Sequence, residues 1–384
     1  MARHVVQFDV ATDRGQVHVR ATAPRGATQA AGTGGRGAVV PSAADAAGWG
    51  RATADEPAVL LVHGNCSSSA FFQRVLARLP DGYRGVALDL RGFGESEPLP
   101  IDATNGMRDF ADDVLALMVA LGIDRADFVA HSAGAGVVMQ LAIDHPERVG
   151  AVVLEAPMSP YGFGGTRGPE GAPVWDDHAG SGGGTANPDF AAAVAAGDRS
   201  TDHPHSPLNV FRAFYVAPGF AGDDEDLLLD SVLSTRIGDD HYPGTTVPSP
   251  NWPGVAPGAT GMNNAISPAF FDVSDFAEAP GVGPVTWVRG DLDAIISDTS
   301  MLDLGHLGAL GVVPGWPGED VYPAQPMVSQ MRSVLDRFAA NGGTYTEVVL
   351  EGVGHSPHLE APERFLDILA AALTGAPEEV PAER

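Results

Sequence analysis

Short runs of apolar residues alternate along the chain with longer stretches in which apolar residues recur every three or four positions. Runs that are apolar throughout are typical of strands buried on both faces of a sheet, and the longer stretches are typical of helices that connect parallel strands. The predicted strands lie at residues 58–62, 85–89, 127–130, 150–154, 284–289 and 345–350. The pattern predicts an α/β fold with a mostly parallel central sheet.

Helices are predicted between and after these strands, on both faces of the sheet. They lie at residues 70–79, 107–121, 133–143, 327–340 and 362–373. Ahead of the first apolar run, residues 4–10 and 16–21 alternate polar and apolar positions and predict an antiparallel hairpin. Gly15 supplies the positive φ that the tight turn between these two strands needs.

Three segments interrupt this rhythm. Residues 23–56 consist largely of Ala, Gly and Pro without periodicity, which predicts a flexible surface loop. Residues 158–283 and 297–326 are irregular insertions between predicted strands, and loops this long are uncommon in a compact domain unless they are functional. We interpret residues 158–283 as a lid inserted into an α/β core formed by residues 1–157 and 284–384.

The composition excludes several classes of function. The 384 residues include 22 Arg and no Lys against 49 acidic residues, which gives a formal net charge of −27 and disfavours binding of nucleic acid or other phosphate groups. No run approaches eighteen apolar residues, and the chain opens without an apolar signal segment, so we expect a cytoplasmic protein that does not bind a membrane. The single cysteine, Cys66, excludes an internal disulfide and a Cys-based zinc cluster.

Two sequence motifs are similar to a nucleotide site and a metal site, but neither has the surrounding pattern that such a site requires. Residues 32–37 spell GxGxxG, but no helical pattern follows them as a dinucleotide site requires. Residues 202–205 and 239–241 contain several Asp and His, yet His-Pro-His cannot lie on one face of a helix. We therefore expect no cofactor and no metal, and a small-molecule substrate as the only partner; the oligomeric state cannot be predicted.

A serine lies at the corner of a predicted strand, turn and helix. The strand ends at Ala130 and His131, Ser132 follows, and the small residues Ala133 and Gly134 open the helix. A strained turn needs small neighbours if it is to bring the serine hydroxyl out above the sheet. The simpler alternative is that Ser132 only caps the helix that follows.

Polar loops follow four other predicted strands, at residues 63–69, 90–96, 290–296 and 351–362. With the Ser132 turn, this arrangement resembles the α/β-hydrolase superfamily over residues 57–157 and 284–373, in that family's chain order of Ser, Asp and His. The family consensus G-x-S-x-G has glycine where this chain has Ala130, a mild departure.

The resemblance implies a role for each of five residues. Ser132 corresponds to the nucleophile, His355 to the general base and then acid, and Asp293 to the carboxylate that orients the imidazole. The backbone N–H groups of Asn65 and Ala133 correspond to the oxyanion hole. No substrate-binding residue can be assigned from the sequence.

Other residues in the same loops compete for these roles. Asp291 lies two residues before Asp293, and the alternation of a strand is expected to turn both to one side. Glu155 occupies the acid position of some relatives, and His358 lies three residues beyond His355. We expect His131 to be a packing residue, His63 to support the oxyanion loop and Cys66 to be a small packing residue rather than a nucleophile.

The predicted lid decides which substrate reaches the serine. Aromatic residues in the two insertions could line the pocket or form the lid's own core: Trp175, Phe211, Phe214, Tyr215, Tyr242, Trp252, Phe270, Phe271 and Trp316. We predict hydrolysis of a small-to-medium apolar carboxylic ester or lactone through an acyl-enzyme. The alternatives are an amidase, a haloperoxidase-like perhydrolase, a hydroxynitrile lyase or a non-enzymatic receptor. A dehalogenase is excluded because it needs an aspartate where Ser132 stands.

Overall fold

A central sheet of eight strands organises the structure, a computed structural model that describes residues 3–23, 56–220, 222–279 and 281–375. The flexible loop predicted for residues 23–56 falls, from 24 to 55, outside the described residues. The strands are β1 Val5–Thr12, β2 Gly15–Thr22, β3 Ala58–Val62, β4 Arg84–Leu88, β5 Ala126–His131, β6 Val149–Glu155, β7 Val285–Gly290 and β8 Tyr345–Leu350.

The strands lie in the order β1-β2-β4-β3-β5-β6-β7-β8. Strands β3 to β8 pair in parallel with their neighbours, whereas β1 and β2 form an antiparallel hairpin and β2 pairs antiparallel with β4. Gly15 closes the hairpin with a φ of 140°. The predicted α/β class with a mostly parallel sheet is confirmed.

The apolar strands are buried on both faces because helices pack against each. In β3, Leu60 and Val62 join the larger core cluster, whereas the alternate residues Val59 and Leu61 belong to a second cluster on the opposite face. Successive side chains of a strand point to opposite faces, so an uninterrupted apolar run requires two apolar layers.

The helices lie close to the predicted positions. Those of the core are Gln73–Arg78, Arg108–Ala120, Ala133–Asp144, Met327–Ala340 and Pro362–Thr374, with short helices at Leu304–Ala309 and Pro357–Glu360. The helix predicted from residue 70 begins instead as a 3₁₀ turn, Ser69–Phe72, in which the Ser68 side chain accepts a hydrogen bond from the Ala70 N–H. None of the helices in the described ranges is long and apolar enough to cross a membrane.

Residues 158–283 contain short elements rather than long helices. The helices are Pro188–Ala195, Pro207–Val210, Glu225–Leu233 and Met262–Ala265, with a π-helical turn at Phe211–Tyr215. Three two-stranded ribbons pair Thr166–Arg167 with Ala172–Pro173, Ile237–Gly238 with Tyr242–Pro243, and Thr246–Pro248 with Val255–Pro257.

This segment bonds to the core through the backbone. The N–H of Ile101 donates to the carbonyl of Asp240 at 3.0 Å, and the N–H of Ala103 donates to the carbonyl of Ala259 at 2.9 Å. In return Gly261 donates to the Ile101 carbonyl at 3.0 Å. Buried backbone groups rarely remain unpaired, so these bonds fix the segment against the loop that follows β4.

Candidate active site

The loops that carry the candidate residues lie at one edge of the sheet. Parallel strands place their carboxyl ends at the same edge, which is where open α/β sheets bind ligands. His63 follows β3, Ser132 follows β5, Asp293 follows β7 and His355 follows β8, while Glu155 is the last residue of β6. The topology alone therefore brings residues from distant parts of the chain to one place.

Ser132 occupies a strained turn between β5 and the helix Ala133–Asp144. Its φ of 56° and ψ of −121° lie in a region that side chains other than glycine rarely adopt. Its N–H donates to the Glu155 carbonyl at 2.9 Å, and its carbonyl accepts from the N–H of Met158 at 3.2 Å. The side chain makes no capping hydrogen bond to the helix, so the alternative of a simple helix cap is wrong.

Two glycines allow the turn to pack closely. A Cβ on Gly134 would lie 2.5 Å from the carbonyl oxygens of Val62 and His63, and a Cβ on Gly64 would lie 2.7 Å from the Cβ of Ser132. The end of β3 and the loop after it therefore contact the serine turn directly. This close approach positions the backbone of Asn65 beside Ser132.

His355 and Asp293 form a buried hydrogen-bonded pair. The imidazole Nδ1 lies 2.9 Å from Asp293 Oδ2 and 3.1 Å from Oδ1, and each side chain is 2% exposed. Asp293 Oδ1 also accepts from the backbone N–H groups of Ile295 at 2.8 Å and Ile296 at 2.9 Å. Because the carboxylate accepts at Nδ1, the neutral ring carries its proton there and leaves Nε2 as a base.

The serine and the imidazole lie on neighbouring loops. His131, which precedes Ser132, has its ring centroid 4.8 Å from that of His355 and donates from Nε2 to the His355 carbonyl at 2.8 Å. In the described part of the chain the His355 ring is hydrogen-bonded through Nδ1 alone, and not to the Ser132 hydroxyl. Such bonds are often long before substrate binds and shorten in the complex.

Two backbone donors point to an oxyanion site. Among the backbone hydrogen bonds of the described ranges, none is donated by the N–H of Asn65 or of Ala133. Ala133 is the first residue of its helix, where N–H groups have no partner within the helix and the helix dipole favours negative charge. Both donors are therefore available to an oxygen that gains negative charge beside Ser132.

Residues of the segment 158–283 bond to Asn65 from two directions. The Tyr215 hydroxyl donates to the Asn65 carbonyl at 3.1 Å, and the Asn65 side-chain Nδ2 donates to Asn263 Oδ1 at 3.0 Å. The Asn65 Oδ1 accepts from the N–H of Cys66 at 3.0 Å. The sequence motif identifies Asn65, and Tyr215 is one of the aromatic residues that the sequence offered as a pocket lining, whereas Asn263 lies in no recognisable pattern.

His63 bonds to the loops that follow β3 and β4. Its Nε2 accepts from the N–H of Leu90 at 2.9 Å, and its Nδ1 donates to the Gly64 carbonyl at 2.7 Å. Complete burial lowers the pKa of His63, although nearby Asp89 and the Gly64 carbonyl oppose the shift. The neutral ring thus links the loops after β3 and β4.

The two competing carboxylates occupy different surroundings. Asp291 is exposed and accepts from the N–H of Gly352 at 2.7 Å, whereas Asp293 is buried. The expectation that strand alternation turns both to one side is wrong, since β7 ends at Gly290 and both residues lie in the turn beyond it. Only Asp293 reaches the imidazole of His355.

Glu155 and His358 form a second buried carboxylate–imidazole pair. Glu155 Oε1 lies 2.8 Å from His358 Nδ1 and also accepts from the His358 N–H at 2.7 Å, and both side chains are fully buried. Neither residue bonds to His355 in the described chain. The sequence singled out each as a competitor for a triad role, but their pairing depends on a contact between residues far apart in the chain.

His131 lies between the two imidazoles and remains neutral. Burial lowers the pKa of His131 well below its usual value, and the neighbouring His355 and His358 lower it further. Its ring centroid is 5.4 Å from that of His358. This residue packs as the sequence suggested, and it also bonds to the backbone of His355.

Cys66 does not have the properties of a nucleophile. Burial raises the pKa of its thiol to about 12, so the thiol stays protonated near neutral pH.

Across the described ranges, no three His, Cys, Asp or Glu side chains gather in a way that could hold a metal ion. The rings of His203 and His205 lie 5.2 Å apart and are tilted by 57°.

Comparison with known proteins places part of the sequence and the fold among known hydrolases. A family model described as alpha/beta hydrolase fold matches residues 57–177. A relative from Variovorax paradoxus strain S110, named as a carbamate hydrolase, is 43% identical over 102 residues, which cover 26% of this chain and 38% of that protein. The alignments span between 27% and 38% of the length of the first curated relatives.

Solved structures are similar over nearly the whole chain. The carboxylesterase CesB from Bacillus subtilis superposes with a TM-score of 0.56 at 15% identity and covers 97% of this chain and 92% of its own. The enol-lactonase from Burkholderia xenovorans LB400 gives a TM-score of 0.53 at 17% identity, and the alignment covers 95% of this chain and 99% of the enol-lactonase. At this level of identity the likeness concerns the fold.

Proposed function

The chain has the α/β-hydrolase fold that its sequence motifs resemble, and from that premise we propose that it is a serine hydrolase that cleaves a small-to-medium apolar carboxylic ester or lactone. One observation carries the proposal: Ser132 occupies a positive-φ turn at the sheet edge that also holds the buried His355–Asp293 pair. A serine hydroxyl is a weak nucleophile by itself and needs an adjacent base held in one tautomer.

The proposed reaction passes through an acyl-enzyme. His355 Nε2 takes the proton of Ser132 Oγ as Oγ bonds to the substrate's carbonyl carbon. The proton then moves from Nε2 to the leaving alkoxide as its bond to carbon breaks, and the acyl group remains on Ser132. Water repeats the sequence: Nε2 takes its proton, hydroxide bonds to the acyl carbon, and the proton returns to Oγ as the carboxylic acid leaves.

Asp293 and the two backbone donors stabilise the charges that develop. Asp293 accepts from His355 Nδ1 throughout and stabilises the imidazolium that forms when Nε2 gains a proton. The carbonyl oxygen becomes negative in the tetrahedral intermediate, and the N–H groups of Asn65 and Ala133 are the proposed donors to it. Loss of one such donor typically lowers the rate by about 10²–10³-fold.

Aromatic rings beside the base support an apolar substrate. The Tyr215 ring lies 6.1 Å from the His355 ring, and Phe71 contacts Tyr215 and Phe211 edge to face at 6.1 and 6.2 Å. These buried rings make the surroundings of the base apolar, which favours an apolar group over a charged one. The names carboxylesterase and enol-lactonase borne by two structural neighbours accord with ester and lactone substrates.

A fluorophosphonate probe tests the serine mechanism directly. We expect the folded protein to be modified at Ser132, located by mass spectrometry of the labelled peptide, and the S132A variant to remain unmodified. Failure of the folded wild-type protein to react at Ser132 would remove the serine-hydrolase proposal. Inhibition of turnover in step with labelling ties the modified residue to the activity.

A substrate panel then separates bond types. The name of the Variovorax paradoxus relative makes carbamate cleavage the second candidate. We expect p-nitrophenyl acetate and butyrate, together with a simple lactone, to be hydrolysed faster than p-nitrophenyl carbamates and p-nitroanilides. Turnover confined to the carbamates or anilides would replace the ester proposal with carbamate or amide hydrolysis.

A further inference from the structure

Glu155 bonds to both loops that bear the proposed reacting groups. Its backbone carbonyl accepts from the N–H of Ser132 at 2.9 Å, and its side-chain Oε1 accepts from the N–H of His358 at 2.7 Å. His358 lies three residues beyond His355 in the same loop. One residue at the end of β6 therefore connects the nucleophile's turn to the loop of the base.

The bond between Glu155 and the His358 ring fixes where the protons lie. His358 Nδ1 is 2.8 Å from Glu155 Oε1, and its Nε2 is 3.1 Å from the carbonyl of Phe71. A carbonyl only accepts, so Nε2 carries a proton, and a second proton lies between Nδ1 and Oε1. The pair is thus a neutral unit with one shared proton, which suits its complete burial.

Further contacts carry this restraint to His355. His131 donates to the His355 carbonyl at 2.8 Å and packs between the rings of His355 and His358. On the other side, Glu360 accepts from the N–H groups of Gly354 at 2.9 Å and Ser356 at 3.0 Å. The backbone on both sides of the base is bonded: the His131 bond ties it to the end of β5, and the Glu155–His358 bond ties the same loop to the end of β6.

The second oxygen of Glu155 makes this carboxylate unusual. Oε2 is buried and has no hydrogen-bond partner in the described chain, so all the bonding of the side chain passes through Oε1. An unpaired buried oxygen costs free energy, which structural residues generally avoid. Oε1 is therefore the atom through which the Glu155 side chain acts on the loop of His355.

We propose that Glu155, through its buried pair with His358, is a positioning residue that sets the placement of the His355 base relative to Ser132. The inference rests on the proposed serine-hydrolase function. A glutamine at residue 155 still offers an oxygen to the His358 N–H, but it cannot share a proton with Nδ1 while Nε2 also donates to Phe71. Either the His358 ring must turn or its loop must move. If this displaces the His355 imidazole by about 1 Å, the rate falls on the order of 10²-fold.

The test compares E155Q and H358Q with a matched control, E347Q. Glu347 is a partly buried carboxylate whose side-chain hydrogen bonds within the described residues all go to Arg289 and Arg332 rather than to the loops of the site. With p-nitrophenyl acetate, we expect kcat of E155Q and H358Q to fall about 10–100-fold with KM within about twofold, and the double variant to lose no more than the worse single one. E347Q should lose stability in thermal unfolding but keep its kcat within about twofold.

A second readout does not depend on activity. In protein with ¹⁵N-labelled histidine, the ring resonances of His355 should shift in E155Q and stay in place in E347Q. Unchanged His355 resonances with kcat of E155Q within about twofold of wild type overturn the positioning role, even when Ser132 reacts with fluorophosphonate. Shifted resonances in a protein whose Ser132 does not react support the positioning role and reject the serine-hydrolase function instead.

Discussion

Replacing Asp293 by Asn tests which carboxylate orients the base. Asp293 Oδ1 accepts from the N–H groups of Ile295 and Ile296, so an asparagine must place its carbonyl oxygen there. Its amide nitrogen then takes the position of Oδ2, 2.9 Å from His355 Nδ1. A donor at that point forces the ring to accept at Nδ1 and to carry its proton on Nε2, where it can no longer take a proton from Ser132.

The size of the effect follows from the wrong tautomer. Such a change lowers kcat by about 10⁴-fold in serine hydrolases, which corresponds to about 5.4 kcal/mol in the activation barrier. Stability should change far less, because both backbone bonds to Oδ1 survive and a hydrogen bond to a neutral rather than a charged acceptor is weaker by about 1 kcal/mol. The variant should therefore be folded and nearly inactive.

The assay is hydrolysis of p-nitrophenyl acetate followed by absorbance, with circular dichroism and thermal unfolding on the same samples. D291N is the matched control, since it makes the same exchange two residues away on an exposed side chain that bonds only to the Gly352 N–H. We expect D291N to keep its kcat within about twofold. A folded D293N enzyme with kcat within tenfold of wild type would refute the reasoning, and a 10⁴-fold loss in E155Q instead would identify Glu155 as the acid.

Three further predictions concern neighbouring residues. With its thiol pKa raised to about 12, Cys66 should not react with Ellman's reagent at about pH 8 in the native protein. After unfolding in denaturant it should react with one equivalent, and rapid reaction of the native protein would contradict this prediction. The pKa of His131 is lowered in the folded state, so below about pH 6.5 the unfolded chain binds a proton at this residue that the folded chain does not bind. The free energy of unfolding therefore decreases as the pH is lowered, by up to about 1.4 kcal/mol per pH unit. H131N should reduce that slope in urea unfolding, and an identical slope would count against a buried neutral ring. In G64A the new Cβ would lie 2.7 Å from the Ser132 Cβ, so this variant should lower kcat by about 10²-fold or more. An unchanged kcat would mean that the loop after β3 can shift without displacing Ser132.

Most of the sheet could be predicted from the sequence because its strands are buried on both faces. The runs at residues 58–62 and 345–350 coincide with β3 and β8, and the other four predicted core strands differ from the observed ones by one residue at each end. Hydrophobic burial determines these positions, so an apolar run is a strong local signal. The parallel order follows from the crossover helices, which the three-to-four-residue periodicity predicts.

The insertion could not be predicted in the same way. Residues 158–283 form short helices and two-stranded ribbons whose positions depend on contacts with the core, such as the Ile101–Asp240 backbone bond. Elements of this length are weakly stable by themselves, so their positions depend on tertiary contacts. The sequence offered Tyr215 only as one of nine aromatic residues that could line the pocket, and Asn263 reaches the site without any signal in its own sequence neighbourhood.

At the site, the sequence indicated residue types and order, whereas pairing needed three dimensions. The motifs name Ser132, Asp293 and His355 together with their competitors, but the choice between Asp291 and Asp293 depends on how the chain turns after Gly290. The Glu155–His358 pair joins residues 203 positions apart. A contact of that kind leaves no trace in one sequence read alone.

The two bonds from the insertion to Asn65 link access and chemistry in one equilibrium. Tyr215 and Asn263 hold the carbonyl and the side chain of the residue that offers an N–H beside Ser132. Any opening that withdraws the insertion from this loop releases that donor at the same time, and a ligand that favours the closed arrangement also favours an ordered donor. Under the proposed function, access to the site and stabilisation of the transition state are therefore thermodynamically coupled through Asn65.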